Sequence, residues 1–423
     1  MSFDTVSVLG LGYIGLPTAA AFAGRKVHVI GVDINSRAVE TINQGNIHIV
    51  EPDLDIAVRS AVTQGYLRAT IKPEPADAFL IAVPTPFKAD HEPDLACVEA
   101  ATRSIAAVLK RGDLVVLEST SPVGTTEFVA EILAKERPDL SFPQQRGEAS
   151  DVRIAHCPER VLPGHVMREL TQNDRVIGGM TPRCAERAVE LYRIFTAGNC
   201  LVTDCRTAEM CKLTENSFRD TNIAFANELS IICERLNINV WELIRLANHH
   251  PRVNILTPGP GVGGHCIAVD PWFLVHSAPA EARLIKTARE VNDGKPHLII
   301  DKVLNLAKSQ VNPVIACFGL AFKADIDDLR ESPAVEITAA LAATGVGRVI
   351  AVEPYVQALP AALQQKGVEL ASIEVALNSA SIVVGLVDHR SFRELDRTLL
   401  QGKSVIDSRG MWVARRESDS NAA

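Results

Sequence analysis

The stretch TVSVLGLGYIGLPTAAAFAG (5–24), with VHVIGVD (27–33) close behind it, reads as strand, tight turn, helix and second strand. β-branched and apolar residues run up to Gly10, glycines break the run, and an alanine-rich segment continues to Gly24. In that context Gly10-x-Gly12-x-x-Gly15 is a phosphate-binding turn. Gly10 permits the bend, Gly12 the close approach of a pyrophosphate, and Gly15 the packing of helix on strand. Tyr13 and Ile14 lie at the helix start, where N–H groups and the helix dipole favour an anion. Asp33 closes the second strand, placed to accept hydrogen bonds from ribose hydroxyls. A carboxylate there repels a 2′-phosphate, so NAD is favoured over NADP, with Arg37 a competing cation nearby. Without a ligand the same glycines make only a turn; the placement of Asp33 is what argues for the cofactor.

Outward from this unit the pattern repeats. Strand-like runs at 78–86, 113–120, 151–158, 175–179 and 200–204 alternate with helical pattern, for example at 94–109 and 124–136. Such alternation predicts a doubly wound parallel sheet. From Thr207 to about Leu236 no Gly or Pro occurs and apolar residues recur at helical spacing, which predicts one long helix. Helices are also expected at 240–248 and 281–308, and strands at 312–319, 346–354, 380–388 and 403–407. The fold class expected is α/β, with two Rossmann-like doubly wound parallel-sheet domains joined by a long central helix. The expected domains are a dinucleotide-binding domain over 1–200, a central helical dimerisation domain over 201–308 and a second α/β domain over 309–423. The polar tail from about Arg416 is expected to fray.

With 423 residues, 47% hydrophobic and 22% charged, the chain has the composition of a multidomain globular protein. A net charge of -8 disfavours a nucleic-acid or membrane-surface partner. Nine scattered cysteines without a C-x-x-C pair fit a reducing cytoplasm, no run is long enough for a membrane span, and no His or Cys spacing suggests a metal.

Thr85, Thr120 and Thr126 fall where loops at the carboxyl ends of parallel strands line a ligand crevice, although turn capping accounts for them equally simply. Lys212, Asn216 and Arg219 share one face of the long helix, either as a solvated face or as part of a cleft. Cys266 follows a glycine-rich loop, TPGPGVGGHC (257–266), that leaves its sulfur approachable, which marks it as a candidate nucleophile. Lys323 and Arg330, ahead of a helix starting near Pro333, are a second candidate phosphate site or simply a charged loop.

Taken together, GLGYIGLP (10–17), IAVPTPF (81–87), ESTSPVGT (118–125), CPERVLPG (157–164), AEMCKLTENSFRDTNIAFANE (208–228), RVNILTPGPGVGGHCIAVDPW (252–272), FGLAFKADIDDLRESPA (318–334) and DSRG (407–410) resemble the UDP-glucose/GDP-mannose dehydrogenase family over nearly the whole chain. The resemblance implies a four-electron oxidation of a UDP-sugar at C6 with two NAD reduced, in a homodimer. It implies that Cys266 forms thiohemiacetal and thioester intermediates, supported by Lys212, Asn216 and Asp270. Glu159 is then the acid/base that activates water, and Thr120 positions that water. Thr85, Thr126 and Arg330 go with the cofactor; Arg160, Val161, Arg219, His250, Arg252, Gly263, Phe322, Lys323 and Arg409 go with the UDP-sugar. Ala268 and Val269 stand where the glucose branch has Pro and Lys, which points to the N-acetylmannosamine branch and to a uronic acid for a bacterial surface glycan such as enterobacterial common antigen. A glucose or N-acetylglucosamine nucleotide, a two-electron hydroxyacid dehydrogenase and an NAD-responsive binding protein remain alternatives.

Overall fold

The computed structural model describes residues 3–49, 51–162, 164–264 and 266–412. The tail from Arg416, and His265 within the glycine-rich loop, lie outside them. The chain packs into two compact units: residues up to Glu215 with His276–Ala278, and Asn216–Val275 with the residues from Pro279 onward.

The first unit is built on eight strands: β1 (Thr5–Leu9), β2 (His28–Val32), β3 (Leu67–Thr70), β4 (Ala78–Ile81), β5 (Leu114–Leu117), β6 (Arg153–His156), β7 (Arg175–Gly179) and β8 (Cys200–Asp204). They lie in the order β3-β2-β1-β4-β5-β6-β7-β8. Val6, Val8, Leu80 and Val116 fill one face of the sheet, and Leu9, Phe79, Ile81, Val115 and Leu117 the other. Apolar burial on both faces is what a sheet covered by helices on each side requires. Each such side chain contributes about 1.5–3 kcal/mol of transfer free energy.

The parallel expectation needs one correction. β6 and β7 are antiparallel, with Ala155 opposite Gly179 and His156 opposite Gly178, and β7 and β8 then run parallel to each other. The chain between β6 and β7 contains only the short helix Val166–Gln172 and does not cross back over the sheet, so β7 starts at the end where β6 stops. The four-residue β3, whose pattern Arg68 interrupts, was not expected from periodicity.

The second unit carries a five-stranded parallel sheet of β9 (Val314–Phe318), β10 (Arg348–Val352), β11 (Glu369–Leu370), β12 (Ile382–Gly385) and β13 (Ser404–Asp407), in the order β11-β10-β9-β12-β13. The molecule is thus an α/β protein with two Rossmann-like sheets joined through long helices. One spans Cys205–Arg235 and the other Arg283–Ala307. Residues up to Glu215 of the former belong to the first unit and those from Asn216 to the second. Within the second unit the two helices are pinned by buried polar groups: Arg289 donates to Asp220 (2.6 Å), and Asn292 donates to the Asp220 carboxylate (2.8 Å). Among the described residues no helix is long and apolar enough to cross a membrane.

Candidate active site

In the first unit the turn after β1 separates the three glycines by what surrounds them. Gly10 has φ +87°, and a Cβ there would lie 2.5 Å from the Ala82 carbonyl oxygen; a Cβ on Gly15 would lie 1.8 Å from that of Gly10. Both positions are closed by the protein's own backbone. A Cβ built on Gly12 meets nothing within 4 Å among the described residues, so the space beside it is open to a ligand. The helix Gly15–Ala23, entered through Tyr13 and Ile14, has no side-chain cap and no acidic residue in its first turn. Neither a cap side chain nor a first-turn acid thus occupies the end where an anion is favoured.

Asp33 follows β2 and is half-buried. Its Oδ2 accepts from the Leu11 N–H and its Oδ1 from the Asn35 N–H, both at 2.9 Å. A carboxylate has about four acceptor sites, so two remain for ribose hydroxyls. The open cradle at Gly12, the uncapped helix and the oriented acid fit a dinucleotide. Arg37 is exposed on the first turn of the helix Ser36–Asn43.

At the same rim Thr85 donates to the Thr120 carbonyl oxygen (2.5 Å), which brings two of the three expected threonines together. Thr126 is held otherwise. Its hydroxyl (2.6 Å) and N–H (2.7 Å) both donate to Glu209, which also accepts from the Gly124 N–H (2.6 Å). Burial pushes the Glu209 carboxyl up, against the pull of these donors. Glu209 was not expected from the sequence. The signal was its position on the long helix, one turn ahead of Lys212, which is half-buried.

Beyond β6, Glu159 is buried, accepts the Arg160 N–H (2.6 Å) on one oxygen and has the other 3.4 Å from Arg175. The Arg160 side chain reaches Glu215 of the long helix (2.6 Å). Val161 packs against the apolar layer of β1 and β4, and the segment after it is tied back by Glu51, which accepts from the N–H groups of Gly164 (2.9 Å) and Val166 (2.8 Å).

In the second unit Asn216 donates to the Asp270 carboxylate at 2.5 Å, both side chains being buried. Asp270 begins the helix Asp270–Ser277, and its N–H donates to the Cys266 carbonyl oxygen (2.9 Å), as does that of Val269 (3.0 Å). Cys266, Asp270 and Asn216 therefore form one constellation, with the cysteine half-buried on the turn that opens the helix. The glycine-rich loop before it is fixed from behind. The Gly259 N–H donates to Asn227 (2.8 Å), and a Cβ on Gly263 would lie 2.5 Å from the Glu331 carbonyl oxygen and 2.9 Å from the Phe322 Cβ. Only glycine fits between the loop and the segment carrying Phe322.

Arg409 reaches the same loop, 2.6 Å from where a Gly259 Cβ would stand, and donates to Asp388 (2.9 Å). Lys323 is exposed. Arg330 is a fork on Asp328 (2.6 and 2.9 Å), so its charge is already paired. Arg219, His250 and Arg252 are exposed, and the Arg252 N–H donates to His250 Nδ1 (3.3 Å).

Comparison with known proteins matches this architecture part by part. Residues 4–196 match the NAD binding domain of the UDP-glucose/GDP-mannose dehydrogenase family, 206–294 its central domain and 316–414 its UDP binding domain. The NDP-N-acetyl-D-galactosaminuronic acid dehydrogenase of Ralstonia nicotianae is 68% identical, covering 98% of each chain. The UDP-N-acetyl-D-mannosamine dehydrogenase of Yersinia pestis is 64% identical over 97% of this chain and 100% of its own. Among solved structures, the UDP-D-ManNAc dehydrogenase of Pyrococcus horikoshii superposes with a TM-score of 0.87 at 38% identity, covering 98% of this chain and 96% of that one. The chain belongs to the UDP-glucose/GDP-mannose dehydrogenase family and is an NAD-dependent oxidoreductase of UDP-sugars.

Proposed function

We propose that the chain oxidises the C6 alcohol of UDP-N-acetyl-D-mannosamine to the carboxylate in two hydride transfers, through a covalent adduct on Cys266. The observation that carries this reading is the Cys266, Asp270 and Asn216 constellation on a loop that tolerates only glycine at its tightest point. The Gly12 cradle and Asp33 would hold NAD, which would supply the hydride acceptor, one NAD for each of the two oxidations. The Cys266 thiolate attacks the aldehyde carbon, retains it as a thiohemiacetal and, after the second oxidation, as a thioester. Lys212 and the Asn216 amide stabilise the oxyanions; such a donor is worth about 3–4 kcal/mol in other enzymes. Glu159 takes a proton from the water that cleaves the thioester, and Thr120 orients that water. Arg160, Val161, Arg219, His250, Arg252, Gly263, Phe322, Lys323 and Arg409 are assigned to the UDP-sugar.

The sugar assignment rests on Ala268 and Val269 and on relatives such as the Yersinia pestis enzyme. A second reading, an N-acetylgalactosamine nucleotide, is favoured by the 68% identity to the Ralstonia nicotianae protein. The two sugars differ at C2 and C4, away from the reacting carbon. An anaerobic assay counting NADH per UDP-sugar consumed separates them. Two NADH per UDP-N-acetylmannosamine supports the first reading, faster oxidation of UDP-N-acetylgalactosamine the second, and one NADH with every sugar removes both.

The same proposal includes a cytoplasmic homodimer. Phe218, Phe225 and Ile232 are 71%, 52% and 44% exposed and repeat every seven residues, so they form one apolar stripe on the long helix. A second copy presenting the same stripe would cover it.

A further inference from the structure

We propose that Arg175 is the positioning residue of Glu159, and that Glu118, joined to the same guanidinium through Tyr192, whose hydroxyl it accepts and whose ring lies against Arg175, sets how much of its charge Glu159 receives. This rests on the reading of Glu159 as the base for thioester cleavage.

The strand reversal supplies the geometry. Continuing the β6–β7 register by three residues from His156 and Gly178 puts Glu159 opposite Arg175. Arg175 opens β7, and because β7 is antiparallel to β6 its first residue stands at the end of the sheet where β6 finishes. In a wholly parallel sheet the first residue of a strand lies at the opposite edge from the ligand crevice. The reversal thus brings a cation to that rim which the usual topology would not.

Arg175 is 4% exposed, and its plane is fixed on every side. Nε donates to the Thr196 hydroxyl (3.1 Å), Nη2 to the Leu170 carbonyl oxygen (3.4 Å), and the guanidinium lies over the rings of Tyr192 (4.7 Å) and Phe195 (5.2 Å). From this fixed platform Nη2 reaches Glu159 Oε2 at 3.4 Å, while Oε1 is held by the Arg160 N–H. Both carboxylate oxygens are aimed. A short two-pronged ion pair would occupy both carboxylate oxygens; a single long contact orients Glu159 and leaves Oε2 accessible to a further partner.

Glu118 directly follows β5, two residues before Thr120, and is buried. Its Oε1 accepts from the Tyr192 hydroxyl (2.6 Å), and its Oε2 is buried with no hydrogen-bond partner among the described residues. Burial pushes this carboxyl up to about 7, with Arg175 and Tyr192 pulling it down and the Glu159 charge adding to the rise. The neighbouring groups are otherwise uncharged: burial raises the Cys157 thiol to about 12 and the Tyr192 hydroxyl well above its usual range. The cluster therefore holds one cation and two carboxylates, and burial leaves Glu118 protonated on the acid side of neutrality. While Glu118 is neutral, the charge of Arg175 is directed to Glu159 alone.

The step concerned is the attack of water on the thioester carbon, in which the C–S bond breaks, Cys266 leaves as thiolate and the water proton passes to Glu159. Rapid mixing of enzyme with NAD and the UDP-sugar, followed by NADH absorbance, resolves it. Glu159→Gln should give a burst of two NADH per site and then slow turnover. Arg175→Lys should give the same burst with hydrolysis slowed about 10–100-fold, the cost of misplacing a reacting group by about 1 Å, while KM for both substrates changes by less than about threefold. Wild type should show an inflection of kcat near pH 7, and Glu118→Gln, nearly isosteric, should keep the burst and lose that inflection. Hydrolysis at the wild-type rate in Arg175→Lys, or a defect confined to KM or to melting temperature, overturns the proposal. If Arg175→Lys does not fold, a pH profile of Glu118→Gln that superimposes on wild type overturns it instead. Absence of a burst in Glu159→Gln removes the reading of Glu159 itself, an outcome distinct from the failure of Arg175.

Discussion

Gly12→Ala and Gly15→Ala should separate cofactor binding from folding within a single turn. At Gly12 the added methyl enters open space and the backbone φ is not left-handed, so the folded chain accepts it. Alanine also restricts the unfolded chain, which stabilises by about 0.4–1 kcal/mol, a rise of about 1–3 °C in Tm for a domain of this size. With NAD bound as proposed, the methyl occupies the path of the pyrophosphate. Losing two charge-assisted N–H bonds to phosphate at about 1.5 kcal/mol each weakens NAD binding about 100-fold. Gly15→Ala behaves oppositely, because its methyl would stand 1.8 Å from the Gly10 carbonyl oxygen and the whole turn must move. Overpacking of that kind costs about 1–3 kcal/mol, so Tm falls. Equilibrium titration of NAD by tryptophan fluorescence or calorimetry, paired with a thermal melt of each variant, reads both quantities. An unchanged NAD dissociation constant in Gly12→Ala refutes the assignment of that opening to the pyrophosphate.

Cys266→Ala should form no uronate while binding NAD as tightly as wild type; product detected at the wild-type rate by mass spectrometry would remove the thiol from the reaction. His156 is fully buried and, among the described residues, its ring nitrogens have no hydrogen-bond partner; burial pushes its pKa down to about 3, against a weaker pull from Leu117. The folded state keeps this ring neutral while the unfolded chain protonates it below about pH 6.5, so its contribution to stability is full above that pH and declines as pH falls towards 3. Urea melts at pH 6.5 and 5 should show wild type losing about 2 kcal/mol more than His156→Phe, and equal losses would contradict the burial. Phe218→Glu with Phe225→Glu should convert a dimer to a monomer in sedimentation velocity, and an unchanged coefficient would move the interface elsewhere.

The dinucleotide turn was legible because each of its parts is local: glycine positions, the alanine helix and the distance to Asp33 all lie within thirty residues. The Cys266 loop was legible for the same reason, but its partner Asn216 sits fifty residues earlier, and only the family resemblance joined them. Arg175, Glu118 and Glu209 were not legible. In a run such as DRVIGG an arginine reads as the polar start of a strand, and periodicity carries no information on whether that strand runs parallel or antiparallel to its neighbour. The loop carrying Arg330 reads equally as a phosphate site and as a charged loop, and Arg330 pairs with Asp328 two residues earlier, a contact that local sequence could have suggested. Buried charges are placed by long-range register, and register is the part of a sheet that a single sequence states most weakly.

One long-range regularity escaped the sequence entirely. The Gly10 N–H donates to the Val32 carbonyl oxygen (2.8 Å), and in the second unit the Gly319 N–H donates to that of Val352 (2.8 Å); the two glycines have φ +87° and +95°. Asp33 accepts from Leu11 and Asn35, and Glu353 accepts from Leu320 (2.7 Å) and Tyr355 (3.1 Å) in the same order. The sheets share the order too, β3-β2-β1-β4-β5 in one and β11-β10-β9-β12-β13 in the other. What differs is the use of the acid. Asp33 is half-buried with acceptor capacity left over, whereas Glu353 is buried and also takes His389 Nε2 at 3.0 Å. His389 Nδ1 accepts the Asp325 N–H (2.9 Å), which leaves the ring proton on Nε2 facing Glu353. The same turn thus leaves a carboxylate with spare acceptor capacity in the first unit, where the ribose is proposed to sit, and holds the segment carrying Phe322 and Lys323 in the second. In the second unit that acid is already occupied, and the UDP-sugar proposed to bind there is assigned to Lys323 and Arg409 instead.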